Sequence, residues 1–302
     1  MNIYNDIPDM KYTAVALGCF DGIHLGHQAV IGATAGESQL SRTVFSFSDD
    51  TRYKSNSLHI ATFEDKCRIL ECLGVENLIV PPFDTIKDIS PEDFFREVLL
   101  DKLGAGLVVC GENYRFGKNA AGSAVTLREL CERAQITYKV ISPVMHKGQI
   151  ISSSRIRHCL SEGKVDEAAA MLGRPFGYQF EVVGGRHLGR TLGTPTINQY
   201  FPENFLIPRY GVYASVTEIG GRKYHSVTNI GVKPTVGSER PLSETWIPDF
   251  AGDLYGQAIR VNLIAFMRDE CKFASVEELK AAILQDGVMS KNLTADFIQK
   301  EE

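Results

Sequence analysis

A short apolar run, Thr13 to Leu17, flows into Gly18-Cys19-Phe20-Asp21-Gly22-Ile23-His24-Leu25-Gly26-His27, and this junction leaves the chain few ways to fold. Five apolar or β-branched residues closed by a glycine predict a strand buried on both faces. The Gly-Asp-Gly turn then opens a helix. His24 and His27 are three positions apart, which places both imidazoles on one helical face, and Gly26 between them leaves room for a ligand beside the backbone. The first turn of a helix offers unpaired N–H groups and a positive dipole end. With two imidazole donors added, the stretch is suited to a polyphosphate and to stabilising charge on a phosphorus centre under attack.

The rest of the first half alternates strand and helix. Strands are expected at Thr43 to Phe47, Val75 to Val80, Leu107 to Cys110 and Thr137 to Ile141. Between them lie helices at Gln28 to Gln39, at Thr62 to Leu73 with Gly74 as its stop, from Ser90-Pro91 through Lys102, and at Val125 to Arg133. The helix at Thr62 to Leu73 is amphipathic, with Phe63, Cys67, Ile69, Leu70 and Leu73 on the core side and Asp65, Lys66 and Arg68 among the polar positions. This alternation predicts an open parallel sheet covered on both faces, with ligands beyond the carboxyl ends of its strands. Three loops should meet there. One carries His24 and His27; the second is Gly111 to Gly117, where Asn113 offers an amide donor and Tyr114 and Phe116 can flank a planar ring. The third is Ile151-Ser152-Ser153-Ser154-Arg155-Ile156-Arg157, in which serines cap a helix and Arg157 points along the face of Ser154 toward an anion.

After two short helices between His158 and Leu172, Gly173-Arg174-Pro175 breaks the pattern and the period changes to two. Val212, Ala214 and Val216 alternate with Tyr213, Ser215 and Thr217, Gly220-Gly221 forms a hairpin turn, and Ile259, Val261 and Leu263 alternate with Arg260 and Asn262. A small antiparallel barrel is expected, closed by a helix from Ser275 to Gln285 whose capping box is Ser275 with Glu278. The domains are therefore 1–173 and 174–302. Within the second, Gly184 to Asn198 is the chemically informative loop. Its glycines, Gly185, Gly189 and Gly193 among them, let backbone N–H groups approach phosphate, and Thr196 and Asn198 set two oxygen ligands on one side of an extended segment, a donor set suited to Mg²⁺.

Composition narrows the partners. Of 302 residues 44% are hydrophobic and 23% charged, and a net charge of −5 argues against a nucleic-acid surface while leaving room for small anions. The seven cysteines are odd in number and nowhere spaced Cys-x-x-Cys, which fits neither a disulfide framework nor a zinc site and suggests a reducing cytoplasm. Cys19 and Cys110 stand at strand ends and are expected to be buried. The first residues carry no leader pattern and no apolar run is long enough to span a membrane.

The histidine turn resembles the HxGH signature of the nucleotidyltransferase superfamily. With Gly-Glu-Asn-Tyr-Arg-Phe-Gly at 111–117 and Ile-Ser-Ser-Ser-Arg-Ile-Arg at 151–157, the first half resembles the FMN adenylyltransferase module of bacterial bifunctional riboflavin kinase/FAD synthetases. The second half is similar to the riboflavin kinase module of the same family through its Gly-Arg-x-Leu-Gly-x-Pro-Thr-x-Asn type of loop, Asn229 to Thr235, Glu244-Thr245-Trp246-Ile247 and Asp253-Leu254-Tyr255-Gly256. The resemblance implies a Rossmann-like domain followed by a β-barrel. His24, His27, Asn113 and Arg157 would hold ATP phosphates, with Gly18, Phe20, Asp21, Gly22, Gly26 and Ser152 to Ser154 around the nucleotide. Thr196 and Asn198 would hold Mg²⁺ and the phosphates of a second ATP, and Glu244 would be the base.

The implied chemistry is phosphorylation of riboflavin to FMN, then adenylylation of FMN to FAD with release of pyrophosphate. Riboflavin, FMN, FAD and ATP would be the ligands. Where the family usually has Phe-Asp-Pro-His-Pro, this chain has Phe47-Ser48-Asp49-Asp50-Thr51, and a narrower reading keeps the kinase alone. Two further readings are weaker. A class I aminoacyl-tRNA synthetase would need a basic tRNA-binding region and a lysine before Met289-Ser290-Lys291, and a flavin-binding regulator without turnover would not need Thr196, Asn198 and Glu244.

Overall fold

The computed structural model describes residues 1–47, 58–184, 194–235 and 238–298. The chain divides into two compact units, Met1–Ser153 and Ser154–Glu302.

In the first unit the elements run β1 (Asn2–Tyr4), β2 (Thr13–Leu17), α1 (Leu25–Gly32), β3 (Ser41–Phe45), α2 (Phe63–Cys72), β4 (Asn77–Ile79) and α3 (Pro91–Asp93), which continues as a π-helix, Phe94–Lys102. There follow β5 (Ala105–Gly111), the short pair β6 (Arg115–Phe116) and β7 (Gly122–Ser123), α4 (Ala124–Arg133), β8 (Thr137–Ile141), and a hairpin of β9 (Met145–His146) and β10 (Gln149–Ile150). Six strands form a parallel sheet in the order β1-β4-β3-β2-β5-β8. The alternation read from the sequence is therefore realised; β1, too short to show a period, is an added edge strand.

Strand β2 is central and fully buried, and successive side chains feed opposite faces. Val15 and Leu17 pack with Phe45, Phe94, Val98, Leu99 and Leu127, whereas Ala14 and Ala16 pack with Ile31, Val44, Ile69 and Leu70. Chain direction across the sheet reverses at β2, since β3 and β4 lie to one side and β5 and β8 to the other. The loops after β2 and β5 consequently leave the sheet side by side at the switch point where such folds bind ligands. Helix α2 begins at the expected place, with Thr62 Oγ1 accepting from Asp65 N at 3.1 Å, and its C-terminus is followed by Gly74 at φ +75°. Arg42 ties the ends of two helices to the sheet: its guanidinium donates to Thr34 Oγ1, Leu73 O and Ile31 O at 3.1, 2.7 and 3.3 Å.

The second unit opens with α5, which spans Ser153–Ser161, and α6 (Val165–Leu172). Its sheet is antiparallel in the order β11 (Phe176–Glu181), β16 (Ala258–Arg268), β13 (Gly211–Ile219), β14 (Arg222–Thr235), β15 (Ser238–Trp246) and β12 (Thr196–Tyr200). The sheet curls until Val183, just past β11, bridges Asn198 on β12. Gln199, buried on β12, donates to Phe180 O and Ile259 O at 2.6 and 2.7 Å. The hairpin turn falls on Gly220 and Gly221, at φ +56° and +79°, as their composition requires. The C-terminal helix α7 runs Val276–Ile298, much further than expected, because the face it buries is made of Asp286, Ser290 and Thr294 and carries no apolar signal. Ser290 Oγ donates to Ser226 O at 2.6 Å, which docks that polar face on β14. The N-cap is as expected on one side, Glu278 N to Ser275 Oγ at 3.1 Å, but the Glu278 carboxylate accepts from Ala274 N rather than from Ser275.

The 154–173 segment falls inside the second unit, where α6 packs on β11 and β16 and Arg209 N donates to Leu160 O at 3.0 Å. Contact thus divides the chain about twenty residues before the change in sequence period at Gly173. Replacing Arg42 by Met should leave two helix-end carbonyls with no donor from this side chain and cost the first unit about 2 kcal/mol. A lowered urea midpoint for that unit, with the second unit's transition unchanged, is the expected readout.

Candidate active sites in the two units

Three residues of the β2–α1 turn adopt left-handed backbone, Phe20, Gly22 and Ile23, at φ +53°, +74° and +40°. Such a conformation is ordinary for glycine and costly for a β-branched side chain, so strain is concentrated between β2 and α1. Burial holds it in place: Phe20 and Ile23 are among the fully buried side chains. The Phe20 ring lies so close over Gly18 that a Cβ there would come within 2.9 Å of it. Gly18 and Phe20, expected around the nucleotide, are thus a matched packing pair that shapes the turn. Gly26 has a similar role, since a Cβ would meet the His24 imidazole at 3.1 Å.

His24 is the N-cap of α1, and its Nδ1 accepts from His27 N at 3.3 Å. The two imidazoles are stacked, 3.6 Å apart at 17°, with the Phe20 ring edge-on to His27 at 5.4 Å. Because Nδ1 of His24 is an acceptor, the neutral ring carries its proton on Nε2. Asp21 braces the turn: its Oδ1 accepts from Ile60 N at 3.0 Å and its carbonyl accepts from Ser153 Oγ at 3.0 Å. Asn113 is exposed at the loop following β5, beside the histidine turn at the same sheet edge. Ser152 is half-buried next to Ser153; Ser154 and Arg157 belong to the second unit, and the role expected for them with ATP rests on the resemblance.

Two of the polar positions of α2 are buried. Asp65 and Lys66 are only 4% and 5% exposed. Lys66 Nζ donates to Ser46 Oγ at 3.1 Å, and Ser46 Oγ donates to Cys19 O at 2.9 Å, so the first turn of α2 ends up bracing the carbonyl side of the histidine turn. Helical spacing alone could not show this, because the polar face of α2 turns toward the sheet edge. The cysteines differ as well. Cys110 is buried against Tyr138 Oη at 3.2 Å and burial pushes its thiol pKa up, but Cys19 is exposed.

A cavity of about 430 Å³ lies beside the β5 loop, walled by Phe47, Phe83, Phe94, Tyr114 and Phe116 with Lys87 and Arg115 at its polar side. Tyr114 and Phe116 do not flank a gap as expected. Their rings are parallel with centroids 5.8 Å apart, whereas a ring inserted between them would need about 7 Å, two contacts of about 3.5 Å. They form one wall. The Ser48 to Thr51 stretch adjoining Phe47 lies outside the described residues.

In the second unit, register decides the site. Asn198, Glu244 and Asn229 are direct neighbours across β12, β15 and β14, and Thr196, Trp246 and Val227 form the adjacent row on the same face. All of these but Asn198 line a cavity of about 440 Å³ with Arg268, Glu270, Phe273, Leu279, Ile283 and Asp286. Glu244 is half-buried and Asn198 is buried. Arg268, from β16, is held by the Asp286 carboxylate through Nε at 3.1 Å and Nη2 at 2.7 Å, and Asp286 holds the guanidinium pKa above its usual value. Neither residue had a local signal, since only docking of α7 joins them. Thr196 Oγ1, Asn198 Oδ1 and the Glu244 carboxylate are hard oxygen donors on one face, a set that fits Mg²⁺, which keeps most of its waters. Among the described residues no group of three or more His, Cys, Asp or Glu could hold a metal ion. Gly185, Gly189 and Gly193 lie outside the described residues.

A parallel sheet with paired imidazoles at its switch point, joined in one chain to a curled antiparallel sheet bearing a carboxylate among oxygen donors, marks an enzyme that transfers groups from nucleotides. Comparison with known proteins is more specific. The riboflavin kinase family model matches residues 172–294 and the FAD synthetase model residues 6–155. The bifunctional riboflavin kinase/FMN adenylyltransferases of Bacillus subtilis and Listeria monocytogenes are 34% and 33% identical, over 91% and 90% of this chain and 90% and 89% of theirs. A solved structure from Streptococcus pneumoniae, described as a macrolide-efflux protein, is 30% identical with a TM-score of 0.87, covering 96% of this chain and 98% of that one. Among the described residues of this chain no helix is long and apolar enough to cross a membrane. The chain belongs to the bifunctional riboflavin kinase/FMN adenylyltransferase family.

Trp246 is the single tryptophan and forms part of the cavity wall. A Cβ added at Gly287 of α7 would come within 2.7 Å of its ring. Gly287→Ala is expected to displace the indole, shift tryptophan emission and destabilise the second unit by about 1–3 kcal/mol; fluorescence during urea unfolding reads both effects at once.

Proposed function

We propose that the second unit phosphorylates riboflavin to FMN and the first converts FMN to FAD, each with ATP. The observation that carries this reading is the placement of Glu244, strand partner of Asn198, in the wall of a largely apolar cavity large enough for a small planar ligand. The curled sheet acts as the barrel of a kinase. Riboflavin lies in the cavity with its primary ribityl hydroxyl at Glu244, whose carboxylate accepts the proton as the oxygen attacks the γ-phosphorus and ADP departs. Thr196 and Asn198 would hold Mg²⁺ with the phosphates, and when bound the ion neutralises charge developing on the transferred group.

In the first unit the acceptor is a phosphate. An FMN phosphate oxygen attacks the α-phosphorus of ATP and pyrophosphate leaves, so no covalent enzyme intermediate is required. His24, donating from Nε2, and His27 stabilise charge on the phosphates together with the N–H groups opening α1, and Asn113 donates from the neighbouring loop. The aromatic cavity at Phe47, Phe94 and Phe116 is where the flavin ring would rest.

Incubation with FMN, ATP and Mg²⁺ tests the adenylyl transfer separately. Pyrophosphate and FAD are expected; kinase activity without either product would favour the narrower reading suggested by the altered Ser48 to Thr51 stretch. Two variants should dissociate the activities. Glu244→Gln is expected to reduce phosphorylation of riboflavin at least about 100-fold while FAD formation from supplied FMN continues. His24→Ala should do the reverse, lowering FAD formation about 100- to 1,000-fold and leaving FMN formation intact. Chromatographic separation of FMN and FAD measures both.

A further inference from the structure

The row through Asn198, Glu244 and Asn229 continues across the sheet to Val212 on β13 and Arg268 on β16, each the direct partner of the one before. Neighbouring strands are about 4.8 Å apart, so Glu244 to Arg268 is a track of about 14 Å. All of its members from Glu244 onward line the cavity.

Asn229 is the unusual member. Its Nδ2 donates to Glu270 Oε1 at 2.9 Å, which fixes the orientation of the amide. Its Oδ1 is enclosed and, among the described residues, accepts no hydrogen bond. Buried amide oxygens are otherwise nearly always satisfied, so one left open in a cavity wall implies a donor brought by the ligand.

We propose that Asn229 is the specificity residue for the ribityl chain, its Oδ1 accepting a hydrogen bond from the secondary hydroxyl at C4′, next to the primary hydroxyl that Glu244 deprotonates. This rests on the kinase reading of the same cavity. Spacing favours the chain over the ring. Carbon–carbon bonds are about 1.5 Å, so the C4′ hydroxyl lies one strand spacing or less from the primary hydroxyl. The tricyclic ring, attached at C1′ four carbon–carbon bonds from the carbon that bears the primary hydroxyl, falls further along the track, over Val212 toward Arg268 and Phe273. Asn229 therefore distinguishes a flavin with a polyol tail from one without it, whereas the apolar end of the cavity holds either.

The test uses the full-length chain and binding read by quenching of Trp246. Lumiflavin, which carries the same ring with a methyl group in place of the ribityl chain, and 4′-deoxyriboflavin are the probes. In the unsubstituted protein 4′-deoxyriboflavin is expected to bind about tenfold more weakly than riboflavin. Asn229→Ala should weaken riboflavin by a similar factor while changing 4′-deoxyriboflavin and lumiflavin less than twofold, the pattern of two groups that share one interaction. Equal affinity of the unsubstituted protein for riboflavin and its 4′-deoxy analogue would overturn the proposal, whatever the variant does. So would a variant that weakens all three flavins equally or none. Failure of the unsubstituted protein to phosphorylate riboflavin at all would sink the kinase reading, a different outcome from a working kinase indifferent to the 4′ hydroxyl.

Discussion

Hydrogen bonding between neighbouring strands fixes which residues stand side by side, and a slip of one position would turn each side chain to the opposite face. Both candidate sites depend on this. In the first unit, pairing of Ala16 with Val109 brings the ends of β2 and β5 level, so the histidine turn and the Asn113 loop emerge together. In the second, pairing of Asn198 with Glu244 and of Glu244 with Asn229 assembles a polar row from segments up to 46 residues apart in the chain. No single segment contains the chemistry.

The two units use register differently because their strands run differently. Parallel strands end at a common edge, and their loops can collect the groups that handle an anion: helix-terminal N–H groups, imidazoles and an amide. The strain at Phe20 and Ile23 is tolerated there because both side chains are sealed in the core. Antiparallel strands instead expose a face, and the curled sheet makes that face a cavity wall with α7 on it. The polar underside of α7 is part of this arrangement, since Asp286 anchors Arg268 while Ser290 and Thr294 settle against β14 at Ser226 and His225.

Several departures from the sequence reading have one physical source. Asp65 and Lys66 occupy polar positions of an amphipathic helix, yet they are buried because the helix lays that turn against the end of β3. Tyr114 and Phe116, two apart around a loop, stack on one another and form a wall. The terminal helix overran its expected end by thirteen residues because its contact face, Asp286, Ser290 and Thr294, is polar. For the two helices the neighbour that decides the outcome is distant in sequence, and for the ring pair it is the path of the loop; no periodicity carries that information.

From the sequence alone came the two-part plan, the alternation of strand and helix before Gly173, the period of two after it, and the residue types with phosphate and metal chemistry: His24, His27, Asn113, Thr196, Asn198 and Glu244. Local spacing carries that much because period, turn chemistry and donor type are properties of short segments. The tertiary structure alone decided that His24 caps its helix and stacks on His27, that Lys66 braces the turn through Ser46, and that Asn229 lies beside Glu244 with an open acceptor. Those facts depend on strand pairing and helix docking between remote segments, which are selected by burial of the whole core rather than by any stretch of residues within it.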